Sequence, residues 1–343
     1  MSNRPRTLIH KLLNQLPNTR NLISCITLVC SLLIPFGLHA ETTKPIPVVA
    51  ISQLVAHPSL DESRQGIIDA LKEAGYEDGK TVKIIYENAN GNLPISMQIA
   101  QKLAGLSPNV IVAISTPSAQ SVVAATRDSK IPVVFASVTD PIGAKLVTNL
   151  TKPGGRITGA TDAVSVEKQV KLLKTLLPQV KTIGAVYNAS EANSVSTVKQ
   201  LKEVAAKHAL TVMEATAANS NEVIPALESL VGKVDVLFLP TDNTVISATD
   251  AVLGMAKNYR LPTFASEIQT VDAGALAGVG FKHYDVGLLA GKKIIAILQG
   301  TPAGDLPVES PANVDFVINL KTAKSIGVNV PETALKEAQF VVE

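Results

Sequence analysis

Short runs of β-branched and aliphatic residues alternate along this chain with longer stretches whose apolar residues recur at helical spacing. The short runs predict strands at Val48–Ser52, Val82–Tyr86, Val110–Ile114, Val133–Phe135, Ile183–Tyr187, Leu210–Glu214, Val236–Leu239 and Ala275–Phe281. The longer stretches predict helices at Leu60–Ala74, Ile95–Leu106, Ser118–Arg127, Val166–Leu176, Ser194–Lys207, Val223–Val231 and Thr244–Tyr259. Near-continuous Val and Ile runs are typical of strands buried on both faces, and strand–helix alternation favours parallel sheets covered by helices. The pattern therefore predicts an α/β fold.

Three of these segments recur in the same order roughly 130 residues further along the chain. The pairs are Val48–Ser52 with Ile183–Tyr187, Asn109–Thr116 with Asp235–Asp242, and Ile131–Ser137 with Leu261–Ser266. This duplication predicts two Rossmann-like lobes with parallel sheets. We expect residues 46–158 with about 284–305 to form the first lobe, and residues 159–283 with about 306–343 to form the second. Several crossings between the lobes would make a multi-strand hinge that lets them close on a cleft.

The first forty residues have the composition of an export signal. They carry basic but no acidic side chains, and an apolar run from Leu22 to Ile34 precedes Leu38-His39-Ala40. This order predicts a signal peptide cleaved after Ala40, and thus a periplasmic or other extracytoplasmic protein. The alternative is an uncleaved anchor, although the run is short for a membrane span. Lipid attachment at Cys25 is less favoured, because the residues before Leu22 are polar.

Removing this segment changes the chemistry available to the rest of the chain. Both cysteines, Cys25 and Cys30, lie within it, so no disulfide, thiol nucleophile or cysteine metal site is expected. Four of the 31 basic side chains are also removed, which leaves 27 against 29 acidic ones, a net charge of −2. A slightly acidic protein is not suited to binding nucleic acid, which requires a positive surface.

Polar residues collect where the predicted strands end, which is the edge of a parallel α/β sheet that binds ligands. The candidate ligand-binding residues are Ser115, Thr116, Ser137, Asp140, Tyr187, Asn193, Ser194, Asp242, Asn243 and Glu267. Helix N-termini at Thr116–Ser118 and Asn193–Ser194 suit a carboxylate, because their N–H groups have no intrahelical partner. A carboxylate from Asp242, Glu267 or Glu191 suits an ammonium group. We therefore expect a small zwitterionic ligand, with helix capping as the alternative role of each residue.

Two aromatic residues besides Tyr187 lie near strand ends. Phe135 and Phe264 could wall an apolar part of the binding site with it. The alternative is that these aromatic side chains belong to the hydrophobic cores.

Several of these segments resemble one known protein family. The residues are Ser115–Gln120, Thr139–Ala144, Lys152–Gly155, Ser190–Ser194 and Pro240–Thr244. They are similar to those of ABC-transporter substrate-binding proteins of the tryptophan/tyrosine-uptake type, within the type I periplasmic-binding-protein fold. The likeness runs from about Pro47 to about Ile326. It implies a monomer that closes on an amino acid, often an aromatic one, and that has a membrane permease and its ATPase as partners.

Catalysis is not expected from this sequence. The first predicted strand is followed by Ser52–Pro58 where a dinucleotide-binding loop would need G-x-G-x-x-G, and no zinc-binding H-E-x-x-H motif occurs. His57 could face the cleft, but a histidine at a helix entry is the commoner case. We predict a binding protein without cofactor or metal, and the alternative is an extracytoplasmic sensor that signals through a partner protein. Replacing Asp242 and Asn243 by alanine should abolish binding and leave the fold intact.

Overall fold

A computed structural model describes residues 45–343 and contains two β-sheets, one for each predicted lobe. Residues Ile46–Glu343 form one compact unit. The predicted signal segment, with Cys25 and Cys30, lies outside the described residues. Among the helices of residues 45–343, none has the length and apolar character needed to span a membrane.

The first sheet is entirely parallel and lies between two layers of helices. Its strands are β1 (Val48–Gln53), β2 (Lys83–Asn88), β3 (Val110–Ile114), β4 (Val133–Ala136) and β5 (Ile157–Gly159). They are arranged in the order β2-β1-β3-β4-β5. Successive residues of a strand enter opposite cores, so that Val49 and Ile51 lie in one hydrophobic cluster and Ala50 in the other. This alternation on two buried faces explains the near-continuous apolar runs of the sequence.

The second sheet is larger and contains one reversal of direction. Its strands are β6 (Thr182–Tyr187), β7 (Thr211–Thr216), β8 (Val236–Leu239), β9 (Thr263–Ala265), β10 (Ala277–Gly280), β11 (Asp315–Asn319) and β12 (Phe340–Val342). Their order is β12-β11-β10-β9-β8-β6-β7, and β11 pairs antiparallel with β10. The predicted parallel arrangement is confirmed for the rest of the two sheets, and β11, which was not among the predicted strands, is the exception. The chain returns from the first lobe at the edge where β10 ends, so the next strand must run the opposite way.

The helices cover both faces of each sheet. They are α1 (Pro58–Glu73), α2 (Leu93–Gly105), α3 (Thr116–Ala125), α4 (Val166–Leu176), α5 (Ala192–Lys207), α6 (Val223–Glu228), α7 (Asn243–Ile246), α8 (Thr249–Asn258), α9 (Gln269–Asp272), α10 (His283–Leu298), α11 (Leu320–Ile326) and α12 (Glu332–Glu337). Helices α1 and α10 pack on one face of the first sheet, and α2 and α3 pack on the other. We call the first sheet with these four helices the first lobe, and the second sheet with the remaining helices the second lobe.

Three segments connect the lobes: one after β5, one between β10 and α10, and one before β11. The first and third lie side by side, because Ala160 forms a parallel bridge with Glu309. The Thr158 hydroxyl also donates a hydrogen bond to the Leu306 carbonyl at 2.7 Å. A buried lysine of α10, Lys293, binds the Glu309 carboxylate at 2.5 Å. The paired segments are the multi-strand hinge that the sequence predicted.

Helix α10 is held in the first lobe by an unusually close contact with α1. A Cβ atom on Gly287 would lie 2.1 Å from the Ser63 carbonyl oxygen, and one on Gly66 would lie 2.2 Å from the Tyr284 carbonyl oxygen. Only glycine allows the two backbones to approach this closely. The contact fixes the first residue of α10, His283, relative to the first lobe.

The predicted helix Thr244–Tyr259 is two helices, α7 and α8, with a break at Ser247 and Ala248. The short strands β5, β9, β11 and β12 were not in the predicted set. Phe135 and Phe264 are fully buried in the cores of the two lobes, which confirms the core alternative for both. The ring centroid of Phe264 lies 6.4 Å from that of Phe238 and 6.3 Å from that of Phe316.

Candidate functional site

The carboxyl ends of the strands in the two sheets face each other across a narrow cleft. At one side of the cleft, the Ser59 hydroxyl donates to Glu267 Oε2 at 2.9 Å. Nearby, Gln269 Nε2 donates to Glu62 Oε2 at 2.7 Å. Each of these hydrogen bonds joins α1 of the first lobe to the segment after β9 of the second.

A further hydrogen bond joins the lobes on the other side of the cleft. The Ser196 hydroxyl of α5 donates to Asp140 Oδ2 at 2.6 Å. The other oxygen of Asp140 accepts from the Gly143 amide at 2.8 Å. Asp140 thus lies at the partly exposed rim of the cleft and helps to keep the lobes together.

A small cavity of about 10 Å³ lies between the lobes at this edge. Residues from both lobes and from the crossing segments line it, among them His57, Ser137, Asp162, Asn193, Glu267 and His283. A cavity of this size holds about one water molecule. Any larger ligand therefore requires the lobes to separate before it can enter.

Five residues at the cleft each carry a buried polar atom for which residues 45–343 provide no hydrogen-bond partner. These unmatched residues are His57, Ser115, Thr116, Asp162 and Asn193. Each is more than nine-tenths buried. Buried polar groups in proteins are almost always hydrogen-bonded, because leaving one without a partner costs about 1–3 kcal/mol. Their concentration at one edge of the sheets is typical of a binding site.

His57 precedes the first turn of α1, and both of its ring nitrogens are unmatched. Burial lowers the pKa of His57 below its ordinary value, and the positive charge that His283 can carry lowers it further. The carboxylate of Glu267 opposes this effect without reversing it. The imidazole of His57 is therefore neutral and offers one donor and one acceptor to the cavity. The sequence favoured a helix-entry role, and the residue has that position while also facing the cavity.

His283 and Asp162 form a buried pair where two of the crossing segments meet. His283 Nε2 lies 3.5 Å from Asp162 Oδ2, and both side chains are about 95% buried or more. Burial alone would lower the pKa of His283, but the contact with Asp162 and the charges of Glu267 and Glu62 outweigh it, and the pKa is raised. The sequence analysis did not include either residue among the candidates. Asp162 follows β5, which was not predicted, and His283 follows the predicted strand Ala275–Phe281 but begins the helix that returns to the first lobe.

Glu267 is the predicted carboxylate that lies at the cavity. Its Oε2 accepts from Ser59, and its Oε1 accepts from the Thr270 hydroxyl at 2.7 Å. Because the Ser59 contact crosses between the lobes, opening of the cleft would expose this carboxylate.

Glu191 is enclosed by its own lobe. Its two oxygens accept hydrogen bonds from Asn193 Nδ2, from the Asn243 amide and side chain, and from the Thr244 amide and hydroxyl, at 2.5–3.1 Å. A carboxylate with five donors is already satisfied. This arrangement leaves it no role as an ammonium receiver.

Asp242 and Asn243 also have structural partners. Asp242 accepts from the Asn188 amide at 2.7 Å and from the Val245 amide at 2.8 Å, and it caps α7. Burial and the nearby Glu191 carboxylate raise the pKa of Asp242 to about 7. The alternative of helix capping therefore describes Asp242. The expectation that alanine at both positions leaves the fold intact is revised, since both side chains hold the second lobe together.

Ser115 and Ser137 end β3 and β4 with backbone angles that are rare for serine. Ser115 has φ 85° and ψ 159°, a region that is nearly confined to glycine, and Ser137 has φ 55°. The Ser137 hydroxyl pairs with the Ser63 hydroxyl at 2.7 Å. Ser115 and Thr116 begin α3 and have unmatched hydroxyls. Strain of this kind is concentrated at functional sites.

Asn193 and Ser194 lie in the first turn of α5. Asn193 Nδ2 donates to the Thr241 carbonyl at 2.7 Å, while its Oδ1 is unmatched. Ser194 is fully buried and accepts a hydrogen bond from Asn193 Nδ2 at 3.3 Å. Helix α5 begins against the first lobe, since Ala192 packs on the hydrophobic cluster that contains residues of α3. The N-terminal parts of these two helices thus lie close to each other across the cleft.

Tyr187 is the candidate that the structure directs away from the cleft. Its hydroxyl donates to Glu214 Oε2 at 2.9 Å on the neighbouring strand β7, and its ring packs on the core of the second lobe. Burial and this carboxylate raise the pKa of Tyr187. Tyr187 is the last residue of β6, and successive side chains of a strand point to opposite faces of the sheet. Its position in the sequence therefore could not show whether its side chain faces the cleft or the core.

Two larger grooves flank the cavity. One, of about 410 Å³, shares His57 and Glu267 with the cavity. Its lining combines polar residues, such as Thr249, Asp250 and Gln269, with the apolar residues Ala56, Pro58, Ile246, Ala248, Ala251 and Ala273. The other, of about 550 Å³, is lined largely by amides and hydroxyls, including Asn90, Asn92, Asn188, Ser190, Asn219 and Ser220. Among residues 45–343, no cluster of His, Cys, Asp and Glu is arranged to hold a metal ion.

Comparison with known proteins gives a consistent result. Residues 48–342 match the family model described as ABC transporter substrate binding protein. A tyrosine-binding protein of Clostridioides difficile is 43% identical over 278 residues, which cover 81% of this chain and 80% of that protein. The structure of an ABC domain from Streptococcus pneumoniae in complex with L-Trp is similar, with a TM-score of 0.83 and 38% identity. That match covers 87% of this chain and 100% of the other.

A second solved structure differs in overall arrangement. The ligand-free, open structure of a substrate-binding protein with adhesive properties from Clostridium difficile is 40% identical, covering 87% of this chain and 99% of that one, but its TM-score is 0.65. At nearly equal identity, the chain thus superposes better on the L-Trp complex than on the open structure. This agrees with the hydrogen bonds that join its lobes.

Proposed function

Because the chain belongs to the family of ABC transporter substrate-binding proteins, we propose that it binds an aromatic amino acid between its lobes and delivers it to a membrane importer. The observation that carries this proposal is the set of unmatched residues at the cleft. Hydroxyl, imidazole, amide and carboxylate groups approach from both lobes and from a crossing segment, which suits a small molecule with several polar groups.

The polar groups are suited to the two charges of an amino acid. The first turn of α3, with the hydroxyls of Ser115 and Thr116, provides N–H groups and a helix dipole for the carboxylate. Asn193 approaches from the first turn of α5. Glu267 and Asp162 supply negative charge near the cavity for the ammonium group. Ser137, Asp140, Ser194, Asp242 and Asn243 then serve mainly to shape and close the site.

The side chain of the ligand would occupy the groove beside His57. Its volume of about 410 Å³ lies within the range of small-molecule sites. The alanine, proline and isoleucine residues that line it favour an apolar or aromatic side chain. Two similar proteins also support an aromatic ligand, since one is named a tyrosine-binding protein and the structure of the other is a complex with L-Trp.

Binding would shift the protein between open and closed arrangements. The ligand enters the open cleft, contacts both lobes and increases the population of the closed form. The closed form then docks on a membrane permease, whose ATPase drives import. Export through the predicted signal peptide would place the protein outside the cytoplasm, where such a permease receives its substrate.

The test is thermal unfolding of the chain from residue 45, which forms a compact unit. The protein is first unfolded and refolded to remove ligand retained from the host, and then mixed with amino acids, nucleosides and sugars. A ligand at about a hundred times its dissociation constant adds about 2.7 kcal/mol of stability. For a protein of this size the midpoint should rise by about 4 °C.

A shift confined to L-Trp, L-Tyr or L-Phe is the expected result. A shift with another class of compound would keep the binding role and exclude the aromatic ligand. Absence of a shift with every compound would contradict the proposed function. Loss of labelled amino-acid uptake in cells that lack the protein would separately test the transport role.

A further inference from the structure

The carboxylates around the cleft differ in how many of their oxygens are already engaged. Glu191 and Asp242 are satisfied by donors of the second lobe. Both oxygens of Glu267 accept hydroxyl hydrogen bonds, and both oxygens of Asp140 are engaged at the rim. Asp162 is different, because its Oδ1 is buried and unmatched. It also lines the cavity between the lobes.

We propose that Asp162 receives the ammonium group of the ligand, an inference that rests on the proposed function. Its Oδ2 is held by His283 at 3.5 Å, which directs Oδ1 toward the remaining space. Both side chains are almost fully buried, so that solvent does not weaken the attraction for a cation. A charge-assisted hydrogen bond from an ammonium to a buried carboxylate is among the stronger polar contacts in proteins.

The charge balance of the cavity supports this role. The raised pKa of His283 favours its protonated form, which offsets one of the two carboxylates, Asp162 and Glu267, whereas the lowered pKa of His57 favours its neutral form. One negative charge then remains, which the ammonium group of a zwitterion compensates. Within the described residues, the cavity lining includes neither lysine nor arginine. The amino group of the ligand is the natural source of the missing positive charge.

The location of Asp162 gives the contact a second consequence. It lies two residues after Ala160, which bridges to Glu309 in the hinge. A ligand bound to Asp162 therefore contacts the segment about which the lobes move, as well as the lobes themselves.

The experiment compares probes that differ in one charged group. L-Tryptophan, indole-3-propionate, which lacks the amino group, and tryptamine, which lacks the carboxylate, are titrated calorimetrically into the wild type and into Asp162→Asn. L-Tyrosine, 3-(4-hydroxyphenyl)propionate and tyramine form a second series. On the wild type, loss of the amino group should weaken binding about 30-fold or more, as expected for a buried charge pair with one partner removed.

Asp162→Asn should weaken binding of the amino acid by a similar factor and leave the affinity for the deaminated probe unchanged or stronger. The matched control is Glu267→Gln, which alters the neighbouring carboxylate that lies between two hydroxyl groups. Because Glu267 contributes to the negative charge of the cavity, its loss should also favour the deaminated probe, but by a smaller factor than the loss of Asp162. Asp140→Asn at the rim should show no selectivity for the amino group.

Other outcomes would overturn the assignment. Unchanged affinity in Asp162→Asn, or an equal loss for aminated and deaminated probes, would exclude Asp162 as the ammonium receiver. A larger selective loss in Glu267→Gln than in Asp162→Asn would transfer the role to Glu267. If Asp162→Asn does not fold, Asp162→Glu displaces the charge and is read in the same way.

If the wild type binds the deaminated probe as well as the amino acid, the ammonium contact is excluded but amino-acid binding stands. If it binds no amine-bearing probe, the proposed function falls, and this assignment falls with it.

Discussion

At the scale of single residues, the cleft contains two kinds of buried polar group. Glu191 and Asp242 are surrounded by donors and hold the second lobe together. Ser115, Thr116 and Asp162 are equally buried but carry unmatched atoms. The first kind stabilises the fold, and the second kind costs stability until a ligand provides the partner. Under the proposed function, this distinction, which depends on the direction of each side chain, separates structural residues from candidate ligand-binding residues.

The Thr116 hydroxyl provides a direct test of this distinction. Thr116→Val keeps the shape of the side chain and removes an unmatched hydroxyl, so stability without ligand should stay constant or rise by about 1 kcal/mol. Affinity for L-tryptophan should fall about tenfold, because a hydrogen bond to a charged carboxylate is lost. Urea unfolding and calorimetry measure the two effects. A fall in stability without a change in affinity would make Thr116 a structural residue.

His57 should make stability depend on pH. Its pKa in the folded protein lies below the ordinary value of 6.5, first because of burial, so the unfolded chain binds the proton more tightly. The stabilisation is therefore complete above pH 6.5 and is lost as the pH falls toward the folded pKa, at up to about 1.4 kcal/mol per pH unit. In His57→Gln, the free energy of unfolding should fall less steeply as the pH is lowered below 6.5. Equal slopes for the two proteins in urea unfolding between pH 5 and 6.5 would contradict the expectation.

At the scale of secondary-structure elements, the contact between α1 and α10 is the most constrained. In Gly287→Ala, the new methyl group would overlap the Ser63 carbonyl, and stability should fall by about 1–3 kcal/mol. Gly254 in α8 is the matched control, because a Cβ there meets nothing within 4 Å. Gly254→Ala should leave stability constant or raise it by up to about 1 kcal/mol. If urea unfolding shows the same change in stability for both variants, the close approach of the α1 and α10 backbones does not explain the need for glycine at position 287.

The elements that the sequence predicted are those with long apolar runs. Strands such as β1 and β3 are buried on both faces, so their composition alone identifies them. Strand β5 has three residues, too few to form a pattern, and β9, of the same length, was recognised only as part of the segment Leu261–Ser266 that repeats the β4 segment. Strand β11 reverses because of a chain path that residue types do not encode. The helix predicted at Thr244–Tyr259 is interrupted at Ser247 and Ala248, where the Ser247 and Thr249 hydroxyls donate to the backbone carbonyls three residues earlier.

The binding edge could be predicted because parallel strands end at the same edge of a sheet. Ser115, Ser137 and Glu267 were found in this way and lie at the cleft. Tyr187 was placed by the same rule, but its side chain faces the core, since direction depends on strand register. Asp162 and His283 belong to crossing segments, and their meeting depends on how the two lobes are joined. Sequence spacing contains no direct signal of that arrangement.

At the scale of the whole molecule, hydrogen bonds between the lobes should set part of the apparent affinity. The Ser196 hydroxyl binds Asp140 only when the lobes are together, and it is not part of the cavity lining. Ser196→Ala should reduce the closed population and weaken amino-acid binding by about two- to tenfold, mainly through faster dissociation. Stopped-flow release of the ligand measures this rate.

The control for Ser196 is Ser229→Ala, which removes a hydrogen bond to the Ala226 carbonyl within one lobe, away from the cavity and both grooves. Its dissociation rate should match that of the wild type. The same rate in Ser196→Ala would show that the rim contact does not contribute to closure.

The return of α10 to the first lobe also determines when the protein can fold during synthesis. Val286, Ala290 and Ile294 complete the hydrophobic cluster over β1, β3 and β4. Until these residues have left the ribosome, α1 alone covers that face of the first sheet, and the second lobe still lacks β11. Neither lobe can finish folding before most of the chain has been made. Such a delay keeps the polypeptide unfolded, which is the state in which a chain can be threaded through a secretion channel.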